Sequence, residues 1–420
     1  MADETEQQLR EKIASQKAAI ANLPSLKSIV VQTGLTSPET KSRAQQIKEL
    51  SDSEEQLELL LESKRVEAVV KLQDELHPPE NSGDCPICLE TIKLVNIMAA
   101  KRSFCCGGWV CQKCAEERNA KCEKEGFDRM FSNKCPLCRQ SFFVDGKEVG
   151  AIVLEHSNKG KAWAQFQIGF WCLYTTERKK HGLSFDEKKS RELIEQAADQ
   201  GDPDALFWMA REYRDEEMSN MHYLRKAADL GYDLAQYDLA VFYDKNNEKE
   251  KYLHYITLAA SQGHSKSYTA LGSLFIHAKC GLTQSLILAK HYAGKSLDKS
   301  LEDAYAIYNF SFASFLLEQE RYEGIVDIPG HSPIPTFLFW GRRALEGDLP
   351  VEFKDIAIEC ISEFENHIKS HCANCRKETG CSSFKRCVRC LAACYCGKEC
   401  QVQHWKAGHK IDCVSINRKK

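Results

Sequence analysis

The stretch GDPDALFWMA at residues 201–210 is matched by GYDLAQYDLA at residues 231–240, and this repetition is the strongest indication of the fold class. Two further copies are GKAWAQFQIG at residues 160–169 and GHSKSYTALG at residues 263–272. A fifth, weaker copy starts at Ser300. A pattern that recurs about every 30 to 40 residues has the length of one supersecondary unit and indicates a stacked repeat architecture.

Each copy predicts two helices joined by a tight turn. A glycine such as Gly201 or Gly231 takes the left-handed backbone that ends one helix, and the alanine that follows four residues later lets the next helix approach closely. Helical segments ending in Ala-Ala precede three of the glycines, at residues 197–198, 227–228 and 259–260. We therefore predict a mostly α fold: a helical repeat solenoid (an α/α superhelix) at residues 156–350, with a capping or linking helix at residues 351–371.

The repeats resemble the Sel-one-like repeat, a relative of the tetratricopeptide repeat, over residues 160–347. This resemblance implies a scaffold that binds a protein or a peptide. The large aromatic residues of the array can belong either to a binding pocket or to the core, and we favour the core for all of them: Trp163, Trp208, Tyr237 and Tyr268.

The composition is that of a soluble globular protein with several domains, since the chain has 420 residues, of which 43% are hydrophobic and 28% charged. The start, Met1-Ala2-Asp3-Glu4, is acidic, and no apolar run in the sequence is long enough to span a membrane. We expect a cytoplasmic or nuclear protein without membrane contact. A net charge of −3 gives no general attraction to nucleic acid, so nucleic-acid binding is disfavoured.

The N-terminal region, residues 1–77, predicts two amphipathic helices separated near Pro24 and Pro38. The longer helix is expected from about Ser42 to Glu75, because its apolar residues recur at spacings near three and four. Those residues are Ile47, Leu50, Leu57, Leu60, Leu61, Val66, Val69 and Leu72. The helix can serve self-association or a partner, or it can pack on its own protein, and we favour the packed helix.

The 21 cysteines cluster in two places, nine between Cys85 and Cys138 and nine between Cys372 and Cys413. In a reducing compartment, such clusters indicate metal binding rather than disulfides. The first cluster, at residues 83–142, resembles a RING finger, whose cysteine pairs interleave around two zinc ions. The resemblance assigns Cys85, Cys88, Cys111 and Cys114 to one ion, and Cys105, Cys106, Cys135 and Cys138 to the other.

The second pair departs from the usual RING pattern, because adjacent cysteines stand where most RING fingers carry a histidine. Cys105 and Cys106 reach one ion only if the backbone turns sharply, which Gly107 and Gly108 favour. Cys122 is the alternative ligand.

RING fingers that are ubiquitin ligases bind a ubiquitin-conjugating enzyme and position its ubiquitin thioester without forming a covalent bond themselves. This resemblance gives Ile87 and Pro136 a docking role, and it places Arg139 where active members hold enzyme and ubiquitin together. The alternative is that Ile87 and Pro136 only shape the zinc turns and that Arg139 is a solvated charge.

The second cluster, at residues 372–413, resembles a MYND finger. The resemblance assigns Cys372, Cys375, Cys396 and Cys400 to one zinc ion, and Cys387, Cys390, His409 and Cys413 to another. It leaves Cys381, Cys394 and His404 as non-ligands. MYND fingers bind short proline-containing peptides, with a groove near Gln401 and Trp405. The alternative is that Trp405 belongs to the core of this small domain.

Together these patterns predict an adaptor with four zinc ions that binds partner proteins and proline-containing peptides. Ubiquitin ligase activity, with a ubiquitin-conjugating enzyme as partner, is a further hypothesis. The alternative is a purely structural interaction scaffold. Because zinc binding supplies on the order of 10 kcal/mol per structural site, we expect both fingers to unfold on chelation while the helical array survives.

Overall fold

A computed structural model describes residues 2–78, 84–90, 92, 100–124, 135–140, 145–184, 187–212, 217–325, 328–378 and 384–415. The chain divides into two compact units, residues 68–264 and residues 1–67 together with 265–420. Helices dominate both units, and the predicted mostly α repeat fold is confirmed. Among the described helices, none is both long enough and apolar enough for a membrane span.

The N-terminal region forms three helices, α1 (Ala2–Ile20), α2 (Leu26–Thr33) and α3 (Pro38–Leu76). The long helix begins at Pro38 rather than near Ser42, because proline fits the first turn of a helix as readily as it ends one. Its predicted apolar stripe is half-buried or exposed throughout. The helix does pack on its own protein, but with a polar face.

The unit of residues 68–264 starts with the last turns of α3 and the RING-like segment. That segment contains an antiparallel hairpin, β1 (Ala100–Arg102) and β2 (Trp109–Cys111), followed by α4 (Gln112–Lys124). The helices that follow are α5 (Gly146–Asn158), α6 (Ala162–Leu173), α7 (Thr175–Lys180), α8 (Glu187–Asp199), α9 (Pro203–Glu212), α10 (Glu217–Asp229), α11 (Asp233–Lys245) and α12 (Lys249–Ser261). Successive long helices of this unit pack on one another around an alanine-rich core.

The second unit carries the remaining repeats and the MYND segment. Its repeat helices are α13 (Ser265–Ile276), α14 (Leu286–Lys299), α15 (Ala304–Arg321), α16 (Ile334–Glu346) and α17 (Val351–Ser370), the last of which matches the predicted capping helix. The MYND segment contains β3 (Lys385–Arg386), β4 (Cys394–Tyr395), α18 (Lys398–His404), a π-helical turn (Trp405–His409) and α19 (Lys410–Asp412).

The small residues of the repeats act as predicted. The turn glycines have φ between 73° and 92°, a backbone that other residues rarely adopt: Gly160, Gly201, Gly231 and Gly263. The small residue four positions later is 0–4% exposed in every copy, namely Ala164, Ala205, Ala235, Ser267 and Ala304. The repeat register read from the sequence is therefore correct. The four aromatic residues that we assigned to the core are half-buried rather than fully buried.

Candidate metal centres

The structure brings the sixteen predicted ligands together in four separate groups. Within each group, the ligand atoms lie within 4.8 Å of one another. The groups have the same membership as the four predicted zinc sites: Cys85, Cys88, Cys111 and Cys114; Cys105, Cys106, Cys135 and Cys138; Cys372, Cys375, Cys396 and Cys400; and Cys387, Cys390, His409 and Cys413. The grouping interleaves the pairs in both fingers, as a cross-brace does. That these residues hold zinc stays a prediction.

The distances within the groups fit a tetrahedral ion. Zinc–sulfur bonds of about 2.3 Å place the sulfur atoms of a tetrahedral site about 3.8 Å apart. The Sγ atoms of Cys88 and Cys111 are 3.8 Å apart, and those of Cys106 and Cys135 are also 3.8 Å apart. In the MYND segment the distances are 3.6 Å for Cys375–Cys396, 3.5 Å for Cys396–Cys400 and 3.8 Å for Cys387–Cys413. The donor set and its spacing therefore suit zinc.

Four of the five Cys-x-x-Cys segments form turns that share one backbone geometry, whereas the fifth, Cys111–Cys114, runs from β2 into α4. In the first, the Leu89 amide donates to the Cys85 carbonyl, and the Cys85 amide donates to the Glu90 carbonyl. The residue after the second cysteine has a left-handed backbone in every turn, with φ of 53–62°: Leu89, Arg139, Arg376 and Leu391. This conformation costs an L-residue roughly 1–2 kcal/mol, which the hydrogen bonds of the turns offset.

The same geometry favours the thiolate at the first cysteine of each turn. Burial raises the pKa of the Cys85 thiol, but backbone hydrogen bonds from Cys88 and Cys111 outweigh burial and lower that pKa to about 6. At Cys372, burial is outweighed in the same way by backbone hydrogen bonds from Cys375 and Cys396, and the pKa again falls to about 6. Thiolates are the form that binds a metal ion.

The adjacent cysteines of the RING-like segment reach one group through a tight turn. The Gly107 amide donates to the Ser103 carbonyl at 2.7 Å, and Gly107 has a φ of 79°. A Cβ atom on Gly107 would lie 2.6 Å from Nε1 of Trp163, so only glycine fits this position. The Cys105 and Cys138 Sγ atoms lie 3.5 Å apart. The side chain of Cys122, the alternative ligand, lies outside the described residues.

The RING-like segment packs directly on the first repeat helices, a contact that the sequence did not predict. The Phe104 ring lies 5.4 Å from that of Trp171, edge to face. The Arg102 guanidinium lies 3.8 Å from the Trp109 ring centroid and 5.2 Å from that of Trp163. Burial lowers the pKa of Arg102 to about 10. This cation–π contact joins the hairpin to α6, and no sequence motif signals it.

The MYND segment is attached to the repeat helices through a buried carboxylate. Asp412 accepts hydrogen bonds from the backbone amides of Gly330, at 2.7 Å, and Ser332, at 3.2 Å. A Cβ atom on Gly408 would lie 2.4 Å from the Pro329 carbonyl carbon, so the two segments meet backbone to backbone. No sequence motif marks this contact.

The remaining predicted residues fall into exposed and buried sets. Ile87 is 45% exposed, Pro136 is half-buried, and Arg139 is exposed. In the MYND segment, Trp405 is 38% exposed and Gln401 is half-buried. Two of the predicted non-ligands are buried outside the four groups, Cys394 and His404. The third, Cys381, lies outside the described residues.

Residues 372–413 match the family model of the MYND finger. The chain is also 36% identical over 72 residues to ubiquitin carboxyl-terminal hydrolase 16 of Arabidopsis thaliana, and 51% identical over 51 residues to programmed cell death protein 2 of Bos taurus. These matches cover 17% and 12% of this chain and span only 6% and 14% of the two relatives.

Among solved structures, the chain is similar to a Sel1 repeat protein from Oxalobacter formigenes, with 17% sequence identity and a TM-score of 0.36. That similarity covers 51% of this chain and 80% of the other. A second similar structure is yeast Tom70, with 12% identity, 87% coverage of both chains and a TM-score of 0.31.

Proposed function

We propose that this protein is a zinc-binding adaptor that binds partner proteins through its MYND finger and its helical repeats. The observation that carries the proposal is the exposed surface of the finger. Trp405 is 38% exposed and Val402 is 43% exposed, directly beside two ligand groups with tetrahedral spacing. Partly exposed aromatic and aliphatic side chains on a rigid metal-bound scaffold are suited to a short apolar peptide.

The test is binding of a set of proline-containing peptides to the full-length zinc-loaded protein. Gln401→Ala and Trp405→Ala should weaken binding tenfold or more, while Val388→Ala, which alters an 85% exposed residue of the same finger, should leave it unchanged. Zinc content must stay equal in all variants, because the Trp405 ring lies only 6.0 Å from that of His409. If Gln401→Ala and Trp405→Ala bind the peptides as tightly as the wild type does, the predicted groove is wrong.

Ubiquitin ligase activity is a second candidate function, and a specific observation favours it. Beside the two ligand groups of the RING-like segment, Ile87, Leu89 and Leu137 are 45%, 76% and 39% exposed. Exposed apolar side chains clustered beside two such groups suit the docking of a conjugating enzyme. An autoubiquitination assay with a broad panel of conjugating enzymes tests this function.

The alternative, a purely structural interaction scaffold, predicts the same metal content and no discharge with any conjugating enzyme. Four zinc ions and a cytoplasmic or nuclear location belong to both candidates. Metal analysis and the distribution of a fluorescent fusion test these two points separately from activity.

A further inference from the structure

The long helix α3 is held to the protein by an unusually polar face. Between residues 45 and 76, its buried residues are all polar: Ser51, Ser53, Glu62 and Gln73. Its leucines in this region are half-buried or exposed, and Leu61 is 38% exposed. Burial of apolar surface is the main force that fixes a helix on a protein. This part of α3 is therefore held weakly for its length.

Three carboxylates on one face of α3 make the contacts with the repeat helices. Glu58 accepts a hydrogen bond from the hydroxyl of Ser285, the residue that caps the N-terminus of α14. Glu62 accepts a hydrogen bond from the Tyr292 hydroxyl. Glu55 lies 3.8 Å from Nη2 of Arg321. Positions 55, 58 and 62 follow one another at helical spacing, so they present a row of carboxylates to the repeat surface, and Glu62 also pairs with Arg65 of α3 at 2.7 Å.

The repeat side of this contact is imperfectly matched. Arg321 is 8% exposed, and its Nη1 donates to Glu318 at 2.8 Å. Its Nε and Nη2 atoms have no hydrogen-bond partner among the described residues. A buried guanidinium needs all its donors satisfied. A helix with carboxylates at the same spacing, but with the one opposite Arg321 closer than the 3.8 Å of Glu55, would satisfy these donors better than α3 does.

A separate apolar cluster holds the chain on the N-terminal side of this segment. Leu26 and Ala44 pack there with Tyr322 and Ile328, and all four are almost completely buried. The Glu323 carboxylate accepts hydrogen bonds from the backbone amides of Leu26 and Lys27. When residues 49–66 leave the surface, this cluster keeps them close at a high effective concentration.

We propose that residues 49–66 of α3 cover a docking surface for an acidic amphipathic helix of a partner protein. The surface consists of Ser285, Tyr292 and Arg321, and the partner presents carboxylates at the spacing of Glu55, Glu58 and Glu62. This inference rests on the proposed role of the repeats in binding proteins. It adds two points to that role. The partner is an acidic helix, and residues 49–66 are an intramolecular competitor that only a helix of matching charge displaces.

The test uses the full-length zinc-loaded protein and a fluorescent peptide with the sequence of residues 49–66. In the variant Glu55→Gln, Glu58→Gln, Glu62→Gln, we expect amide hydrogen exchange over residues 49–66 to rise at least tenfold while that of α14 stays unchanged. The peptide should bind this variant at least tenfold more tightly than it binds the wild type. A peptide with the same three glutamines should not bind.

The matched control variant is Glu39→Gln, Glu67→Gln, Glu75→Gln, which removes the same charge from exposed positions of α3 and should behave as the wild type. The proposal is wrong if the triple variant shows raised hydrogen exchange over residues 49–66, and is therefore opened, but does not bind the native peptide. It is also wrong if the peptide with three glutamines binds this variant as tightly as the native peptide does. A new dimer of the opened variant would assign the surface to a second copy of this chain and would also overturn it.

If the triple variant fails to fold, the wild type still decides the question. Excess native peptide must then raise hydrogen exchange of the chain's own residues 49–66, and no rise overturns the proposal. Continued binding of proline-containing peptides by the MYND finger would show that the adaptor function stands even though this surface is not used.

Discussion

Arg139 has a left-handed backbone, with a φ of 62°, and its exposed side chain follows the last cysteine of the RING-like segment. The backbone at this position is constrained by the Arg139 amide, which donates to the Cys135 carbonyl at 3.0 Å. The side chain itself is free of that constraint. A substitution that shortens it therefore alters what the finger contacts and leaves the turn intact.

The two predicted ligase residues should separate docking from discharge. We expect Ile87→Ala to weaken conjugating-enzyme binding by about 1–2 kcal/mol, since an exposed apolar contact is lost. Arg139→Ala should slow ubiquitin discharge tenfold or more with little loss of binding. Titration of the conjugating enzyme and single-turnover discharge assays measure the two effects.

Zinc content is the control for these variants, because neither side chain is a ligand. If both variants discharge ubiquitin as fast as the wild type, the ligase activity stands and the roles assigned to Ile87 and Arg139 are wrong. A lack of discharge by the wild type across the panel would favour the structural scaffold.

Asp204 should make stability depend on pH in the neutral range. Burial, together with the nearby Asp202, raises the Asp204 pKa from 3.8 to about 7. A carboxyl whose pKa is higher in the folded state takes up protons on folding, so its favourable contribution is complete below about pH 4 and is lost as the pH rises through 7. Asp204→Asn should remove this loss, while Tyr232 keeps an oxygen acceptor for its hydroxyl.

Urea unfolding between pH 5 and 8 tests this expectation. The stability difference between Asp204→Asn and the wild type should grow in favour of the variant as the pH rises. Asp199→Asn, at an exposed position nearby, should show a constant difference. A flat profile for both variants would mean that Asp204 titrates as an ordinary carboxyl.

At the scale of the helices, the repeats depend on small residues at the helix contacts. Ala235 on α11 has no exposed surface and belongs to the main core of its unit. Ala235→Arg should lower the free energy of unfolding by about 2 kcal/mol or more, because a long charged side chain enters a close helix contact.

Thermal and urea unfolding measure this cost. Asp244→Arg is the matched control, since it places the same side chain at an exposed position of the same helix. Equal stability of the two variants would contradict the position of Ala235 in the core.

At the scale of the whole molecule, each finger shares a core with the repeat helices of its own unit. Cys387, Cys390 and Cys413 belong to the same apolar cluster as Phe337 and Ile361 of the repeat helices. The expectation that the array survives chelation stays a prediction for the helices that do not contact a finger. Loss of a metal ion from the group of Cys387, Cys390, His409 and Cys413 would open a core that α16 and α17 share.

We predict four zinc ions per chain, and we expect chelation to loosen α16 and α17 as well as both fingers. Structural zinc sites contribute on the order of 10 kcal/mol each, so the neighbouring helices lose much of their support. Helices that do not contact a ligand group, such as α11 and α12, should keep their slow hydrogen exchange. Metal analysis that returns two ions or fewer, or unchanged exchange in α16 and α17, would contradict this prediction.

The resemblance to RING and MYND fingers predicted which cysteine pairs share a ligand group. The residues alone predicted the repeat register and the pairs of neighbouring cysteines. Both depend on local rules: a left-handed glycine such as Gly231 ends a helix wherever it occurs, and a Cys-x-x-Cys turn brings two thiols together regardless of its surroundings. The adjacent Cys105 and Cys106 lie in one group, as the turn at Gly107 predicted, and the choice between them and Cys122 as ligands stays a prediction.

The contacts that hold the fingers and α3 to the repeat helices could not be predicted from the sequence and were found only in the folded structure. The contacts of Arg102 with Trp163, and of Asp412 with Gly330, join residues far apart in the chain, and no periodicity or spacing records such pairs. The same holds for α3, whose leucine pattern predicted an apolar face although its buried positions include Ser53 and Glu62. Burial depends on which surface a helix meets, and that surface exists only once the repeats have folded.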